Sequence, residues 1–118
     1  MKELPAIPDT MTLSALQKHM NDFCEAFGWH ENTTEQRFLL LVEEVGELAK
    51  ALRHTLKLQI EVDNPHKPVR DAETVRANLA EEFADVLNYI LDLANVFGID
   101  LEDAYRTNID QLTKRRWV

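Results

Sequence analysis

"LVEEVGEL", residues 41–48, and "LAEEFADV", residues 79–86, carry acidic residues at matching positions of two apolar stretches. Apolar residues recur at helical spacing through both stretches, without the alternation that is typical of strands. Each stretch therefore predicts an amphipathic helix. The repetition raises the question of why a protein would set like charges into two separate helices.

Local signals outside these stretches predict the ends of four helices. The first helix should start near Thr12 or Ser14, with Gln17 as a capping-box partner of Ser14, and should stop at Gly28. A second helix should begin at Thr33 and run to about residue 58, with Gln36 completing another capping box. The proline-containing segment that follows, residues 59–71, should be irregular.

Two more helices are expected after this segment. Asp71 should cap a third helix that reaches Phe97 and stops at Gly98, where a left-handed residue costs least. Asp100 should cap a fourth helix, whose last turn carries three basic residues that suit the helix dipole, namely Lys114, Arg115 and Arg116. The predicted fold class is all-α, a four-helix bundle.

Composition and charge limit the partners. The chain has 118 residues, a formal net charge of −8 and one cysteine, Cys24. We expect a single domain over residues 1–118. The negative charge repels nucleic acid polymers and anionic membranes, and no apolar run approaches the roughly 20 residues that cross a bilayer, so neither partner is expected. Cys24 cannot form an internal disulfide, which fits a reducing cytoplasm.

A helical projection at about 100° per residue predicts where the acidic residues lie. The apolar residues form a core stripe on each helix: Leu41, Val45, Leu48 and Leu52 on the second, and Phe83, Val86, Ile90, Leu93 and Phe97 on the third. Glu44 and Glu47 lie to one side of the first stripe, and Glu82 and Asp85 have the same offsets from the other. If the two helices pack antiparallel, these four carboxylates meet in one groove.

Two solvated helix faces are the simpler alternative. That alternative predicts oppositely charged partners four residues apart, whereas Glu43 faces Glu47 and Glu81 faces Asp85. Carboxylates gathered in one groove must be protonated, held apart or neutralised by a metal ion. Oxygen ligands favour hard cations, so we expect Mg²⁺, with Mn²⁺ as a possible substitute.

A di-iron centre is the other metal site that helical bundles build. It requires Glu-x-x-His on two helices, and none of the four histidines follows a glutamate at that spacing. They are His19, His30, His54 and His66, and each is interpreted as a surface or packing residue.

The motifs "EEVGEL" and "EEFADV" together resemble those of the MazG-like, all-α nucleoside triphosphate pyrophosphohydrolases. The flanking "FGW", "LANVFGIDLEDAY" and "TKRRW" extend the resemblance over roughly residues 12–117. It implies that Glu44, Glu47, Glu82 and Asp85 are Mg²⁺ ligands and that Glu43 has a catalytic role, orienting water or helping to bind a further ion. It also implies a homodimer or a homotetramer built from dimers.

Six residues are candidates for substrate binding: Trp29, Lys50, Arg53, Asn88, Lys114 and Arg115. Lys50 and Arg53 could reach phosphate or only shield the acidic edge. Asn88 could hydrogen-bond a sugar or base, and Trp29 offers a ring for stacking. The two basic residues of the last helix either complement its dipole or clamp phosphate.

The resemblance implies Mg²⁺-dependent hydrolysis of a nucleoside triphosphate to a monophosphate and pyrophosphate by water attack on the α-phosphorus. Cleansing of the nucleotide pool is the expected role. The alternatives are a non-catalytic helical dimerisation or regulatory module, or a hydrolase of phosphoribosyl-ATP or of deoxynucleotide diphosphates within the same superfamily.

Overall fold

A computed structural model describes residues 3–57 and 71–116 of the chain. These two ranges contain four α-helices and one 3-10 turn, and no strand occurs in them. The helices are α1 (Leu13–Phe27), α2 (Thr34–Thr55), α3 (Ala72–Val96) and α4 (Leu101–Lys114), and the 3-10 turn is Trp29–Glu31. The predicted all-α class is confirmed. None of the described helices combines the length and the apolar character that a membrane span needs.

Three of the predicted N-terminal caps are confirmed by hydrogen bonds. The N–H of Thr33 donates to the side chain of Gln36 at 2.8 Å, and the N–H of Gln36 donates back to the Thr33 hydroxyl at 3.1 Å. Asp71 accepts a hydrogen bond from the N–H of Thr74 at 2.7 Å, and Asp100 accepts two from the first turn of α4. Local sequence signals are therefore sufficient to start α2, α3 and α4.

The capping box predicted for α1 does not form. Thr12, one of the two predicted starts, is the N-cap, and its hydroxyl accepts from the N–H of Ala15 at 3.1 Å. The N–H of Ser14 donates to the Glu102 carboxylate at 2.9 Å. Gln17 is buried and binds the backbone at the start of α4, since its amide oxygen accepts from the N–H of Leu101. Ser14 and Gln17 therefore hydrogen-bond to residues of α4 instead of to each other.

The helix ends follow the glycine signals closely. Gly28 and Gly98 have φ angles of 76° and 64°, in the left-handed region where glycine has no Cβ to clash. Helix α2 ends at Thr55, a little before its predicted end near residue 58, and Lys57 adopts a φ of 56°. The remainder of the predicted irregular connection, from residue 58 to residue 70, lies outside the described residues.

The described residues fall into two compact units. The first unit combines the residues up to Arg37 with those from Ile90 onward, and the second runs from Phe38 to Tyr89. The core of the first unit comprises Met20, Cys24 and Leu91, with Leu16, Phe23 and Leu101 packed against it. The single domain over residues 1–118 stays a prediction.

A buried ion pair organises the first unit. The guanidinium of Arg37 donates to a carboxylate oxygen of Asp92 at 2.7 Å, and both side chains are almost fully buried. Arg37 also donates to three carbonyl oxygens in and after the 3-10 turn, those of Trp29, His30 and Asn32. A single arginine therefore joins α2, α3 and the connection that precedes α2.

The predicted core stripe of α2 is wrong in its orientation. Val45 and Leu52 are 47% and 44% exposed, whereas Ala51 is only 2% exposed. The less exposed positions of α2 in the second unit centre near Glu44, about 60° from the predicted stripe. Helix α2 carries apolar side chains on more than one side, and apolar periodicity alone does not distinguish two apolar faces.

The buried face of α3 is rotated away from its predicted core stripe, as it is in α2. Phe83, placed in the predicted core, is 58% exposed, and Ile90 and Phe97 are exposed as well. The half-buried positions within the second unit centre on Glu82; they are Val75, Asn78, Leu79, Glu82, Asp85, Val86 and Tyr89. Both helices therefore turn an acidic residue, rather than the most apolar line, toward the interior of the second unit.

Candidate metal centre

Helices α2 and α3 run antiparallel within the second unit. Glu44, in the first half of α2, approaches Asp85 of α3. Ala51 and His54, at the end of α2, share a cleft with Asn78, near the start of α3. Because contacts move backward along α3 as α2 advances, the antiparallel pairing predicted for these helices is present.

This pairing brings three carboxylates together. One oxygen from each of Glu44, Glu82 and Asp85 lies within 4.8 Å of the others, and all three side chains are partly buried. The three residues, called the acidic cluster below, come from the two repeated motifs. Oxygen ligands from carboxylates at this spacing suit a hard divalent cation.

The environment of the acidic cluster disfavours the charged forms of its members. Burial raises the pKa of Glu44 above its usual value, and the charges of Asp85 and Glu82, then of Glu43 and Glu47, raise it further. The pKa of Glu82 is also raised, first by desolvation and then by neighbouring carboxylates, although a hydrogen bond with Glu44 opposes the shift. A cation in the cluster would remove this mutual repulsion.

One oxygen of the acidic cluster is left without a partner. The Oε2 atom of Glu82 is buried and has no hydrogen-bond partner among the described residues. A buried carboxylate oxygen without a donor is costly, and such atoms in native structures call for an explanation, of which an ion is one. The donor set and this unpaired oxygen both fit a divalent metal ion.

Glu47 and Glu43 stand in different relations to the acidic cluster. Glu47, predicted as a fourth ligand, is not one of the three carboxylates that converge, but it lines a cleft with Glu82 and contributes to the raised pKa of that residue. Glu43 is exposed, and its charge helps to raise the pKa of Glu44. The ligand role of Glu47 and the catalytic role of Glu43 stay predictions.

The cleft continues from the acidic cluster toward the end of α2. It has a volume of about 100 Å³ and is lined by Glu47, Lys50, Ala51, His54, Asn78 and Glu82. Of the substrate-binding candidates, Lys50 lines it. His54 and Asn78 were not predicted as site residues, although their spacing contains a signal: His54 lies two helical turns after Glu47, and Asn78 one turn before Glu82.

The other substrate-binding candidates lie outside this cleft. Arg53 and Asn88 are exposed residues of the second unit. In the first unit, the exposed Trp29 stacks on Phe27 with ring centroids 4.9 Å apart, and Lys114 forms an ion pair with Asp110 at 2.8 Å within α4.

Arg115 is the last of these candidates. It is exposed, and its N–H donates to the carbonyl oxygen of Leu112 at the end of α4. The pairing of Lys114 within α4 favours the simpler of the two interpretations of these basic residues, in which they stabilise the end of the helix.

The all-α fold and the paired acidic turns define a family. A family model described as the MazG nucleotide pyrophosphohydrolase domain matches residues 32–117, and this chain belongs to that family. Members are generally metal-dependent, which agrees with the acidic cluster. The match begins after the "FGW" segment that was included in the predicted resemblance.

The chain is similar in sequence to a protein of Bacillus subtilis strain 168, the uncharacterized protein YvdC. It is 36% identical to this chain over 105 residues, which make up 89% of this chain and 96% of YvdC. The similarity therefore covers most of both sequences.

Proposed function

We propose that the protein hydrolyses nucleoside triphosphates to nucleoside monophosphates and pyrophosphate, in a Mg²⁺-dependent reaction with water attack at the α-phosphorus. The observation that carries the proposal is the acidic cluster, three carboxylates within 4.8 Å, one of them with an unpartnered buried oxygen. Membership of the MazG nucleotide pyrophosphohydrolase family supports it.

Glu44, Glu82 and Asp85 would hold the metal, with Glu47 next to Glu82 as a further ligand. Bound Mg²⁺ would activate water and neutralise charge on the polyphosphate, which a protein of net charge −8 does not otherwise attract. Mn²⁺ accepts the same oxygen donors and should replace it.

The remaining predicted residues take the other tasks of the reaction. Glu43, beside Glu44 on α2, orients the attacking water or helps to bind a further ion. Asn88, on α3, hydrogen-bonds the nucleoside. A stacking role for Trp29 stays a prediction. Two basic residues that follow the acidic motif on α2 contact the phosphates, namely Lys50 and Arg53. The reaction would serve to cleanse the nucleotide pool of the cytoplasm.

A homo-oligomer is the second part of the proposal. Four apolar side chains of α2 are 44–56% exposed along one side of the helix, and we call Phe38, Val42, Val45 and Leu52 the outward stripe. Apolar patches of this kind are usually covered by a partner. Because α2 carries the acidic motif on another side, a second copy of the chain could cover the outward stripe without blocking the acidic cluster.

Hydrolysis in ¹⁸O-labelled water tests the proposed reaction. A panel of ribo- and deoxynucleoside triphosphates, deoxynucleoside diphosphates and phosphoribosyl-ATP is incubated with the protein and Mg²⁺. The expected result is pyrophosphate from a triphosphate, with the label in the monophosphate product. Label in the pyrophosphate would place the attack at the β-phosphorus. No release from any substrate by folded protein would favour the non-catalytic module.

Light scattering tests the homo-oligomer. The wild-type protein should elute with at least twice the chain mass of 13.7 kDa. Val42→Lys should shift the population toward the monomer, because it sets a charge in the outward stripe, whereas Ala77→Lys at an exposed position of α3 should not. A wild-type monomer at all concentrations would contradict this part of the proposal.

A further inference from the structure

The cleft next to the acidic cluster is lined by carboxylates at one end and by nitrogen-containing side chains at the other. Its carboxylates, Glu47 and Glu82, lie at the end that adjoins the acidic cluster, and Lys50, His54 and Asn78 bring nitrogen donors from both helices. Ala51, only 2% exposed, is a small buried residue among these polar side chains. Polar groups from α2 and α3 thus converge on one small volume.

The nitrogen donors of the cleft have no partner in the part of the chain that the structure describes. Within residues 3–57 and 71–116, no hydrogen bond or ion pair involves the side chain of Lys50, His54 or Asn78, although the last two are half-buried. Structural polar groups behave differently in this protein: Gln17 and Asn95 are bound to each other and to nearby backbone atoms. Unused donors in a concave place are available for a ligand.

The order of charges along the cleft suits a polyphosphate. A ligand with several phosphate groups can bind metal at one end while its other oxygens accept hydrogen bonds from lysine, histidine and asparagine at the other. Along α2, Lys50 and His54 lie one and two turns beyond Glu47, so the donors continue the line of the acidic residues.

We propose that Lys50, His54 and Asn78 form an anion subsite that receives the terminal phosphates of the substrate, the part released as pyrophosphate. The subsite rests on the proposed function, and it adds His54 and Asn78 as binding residues. It gives the enzyme a physical reason to prefer triphosphates, since a shorter chain of phosphates leaves these donors without acceptors.

Calorimetric titration with inorganic pyrophosphate in the presence of Mg²⁺ tests the subsite without requiring catalysis. His54→Ala and Asn78→Ala should each weaken pyrophosphate binding about tenfold, the order expected for losing a hydrogen bond to a charged group. Asn78→Asp should weaken it more, because it keeps the side-chain shape and adds a negative charge. Arg76→Ala, on another side of α3, is the control for loss of a basic residue and should bind as the wild type does.

Kinetics on the substrate panel then separate this inference from the function itself. The two alanine variants should lower kcat/KM for a triphosphate about tenfold or more, because the lost contacts hold the leaving pyrophosphate, which gains negative charge in the transition state. If the wild type hydrolyses triphosphates while all cleft variants bind pyrophosphate normally, the subsite is wrong and the function stands. A wild type that neither hydrolyses a substrate nor binds pyrophosphate would contradict both.

Discussion

The two units of the protein treat buried charge in opposite ways. In the first unit, the guanidinium of Arg37 meets the carboxylate of Asp92 at 2.7 Å and its other donors meet backbone carbonyl oxygens. In the second, Glu44, Glu82 and Asp85 bring three acids within 4.8 Å of each other, and burial raises the pKa of two of them. One set of charges is complete, and the other has no positive side chain paired with it in residues 3–57 and 71–116.

This difference separates a structural role from a binding role. A buried ion pair whose hydrogen bonds are all made needs nothing from outside the chain, and removing one partner leaves an uncompensated charge. A group of like charges weakens the fold in the absence of a ligand and supplies binding energy when a cation arrives. Substitutions in the two regions should therefore affect different properties, namely stability in the first unit and activity in the second.

The largest expected effect is on activity in the second unit. Glu82→Gln should lower kcat by more than about 100-fold, because it removes the charge of a proposed metal ligand. The melting temperature of the metal-free protein should stay the same or rise, since repulsion is relieved. Glu73→Gln, an exposed acid in the first turn of the same helix, is the matched control and should retain activity. Both variants are measured by pyrophosphate release and thermal unfolding.

Equal activity of Glu82→Gln and Glu73→Gln would contradict a binding role for the acidic cluster, and with it the contrast between the two units. So would a large loss of stability in Glu82→Gln, because it would mean that the acidic cluster holds the fold together.

The next effect in size is on stability in the first unit. Arg37→Met should lower the free energy of unfolding by about 3–5 kcal/mol, because Asp92 would stay buried without its partner. Arg76→Met, at an exposed position, should change it by less than about 0.5 kcal/mol. Urea denaturation measures both. A loss below about 1 kcal/mol in Arg37→Met would mean that the ion pair contributes little to the fold.

A smaller effect should appear in the pH dependence of the metal-free protein. The folded-state pKa of Glu44 is raised above 4.5, so the folded protein holds this proton more tightly than the unfolded chain does. This contribution to stability is complete below pH 4.5 and is lost as the pH rises through the higher folded-state pKa. Glu44→Gln should therefore match the wild type in acid and become the more stable of the two toward neutral pH.

Melting temperatures across pH, measured with a chelator and then with Mg²⁺, check this expectation. Added Mg²⁺ should raise the melting temperature of the wild type more than that of Glu44→Gln. A constant difference between the two proteins at all pH values would mean that the charge of Glu44 is not opposed by its neighbours.

The smallest effect concerns Cys24, which lies next to the buried ion pair of Arg37 and Asp92 in the first unit. Burial raises the pKa of its thiol to about 11, and the nearby Asp92 adds to the shift. The thiol lies 3.6 Å from a carboxylate oxygen of Asp92. At pH 8 it should react with a disulfide reagent many times more slowly in the native protein than in urea. Rapid reaction in the native state would show that this region opens easily.

Much of the fold could be predicted because its signals are local. The capping residues Thr33, Asp71 and Asp100 were correct, as were the helix ends at Gly28 and Gly98, since each depends on groups within a few residues. The meeting of the three acids of the acidic cluster could be predicted for a related reason. The two acidic motifs repeat position by position, so equivalent faces were expected to meet across an antiparallel pair.

The errors have a physical cause in common. Periodicity placed Val45 and Phe83 in the core, yet both are exposed, because a helix with apolar side chains on more than one side has more than one inward face to choose from. Gln17 was assigned to a local cap but binds residues about 80 positions away. His54 was interpreted as a surface or packing residue, since the hydrogen bonds and clefts of a side chain depend on distant segments.

The sequence by itself determined the helices, their caps and the presence of two matching acidic turns, because these follow from interactions within one or two helical turns. Tertiary structure alone decided how far each helix rotates about its axis. In the second unit the inward faces lie about 60° from the apolar optimum, and Glu44, Glu82 and Asp85 come together there. The physical reason is that burial and charge pairing are properties of groups from separate segments, which no local pattern contains.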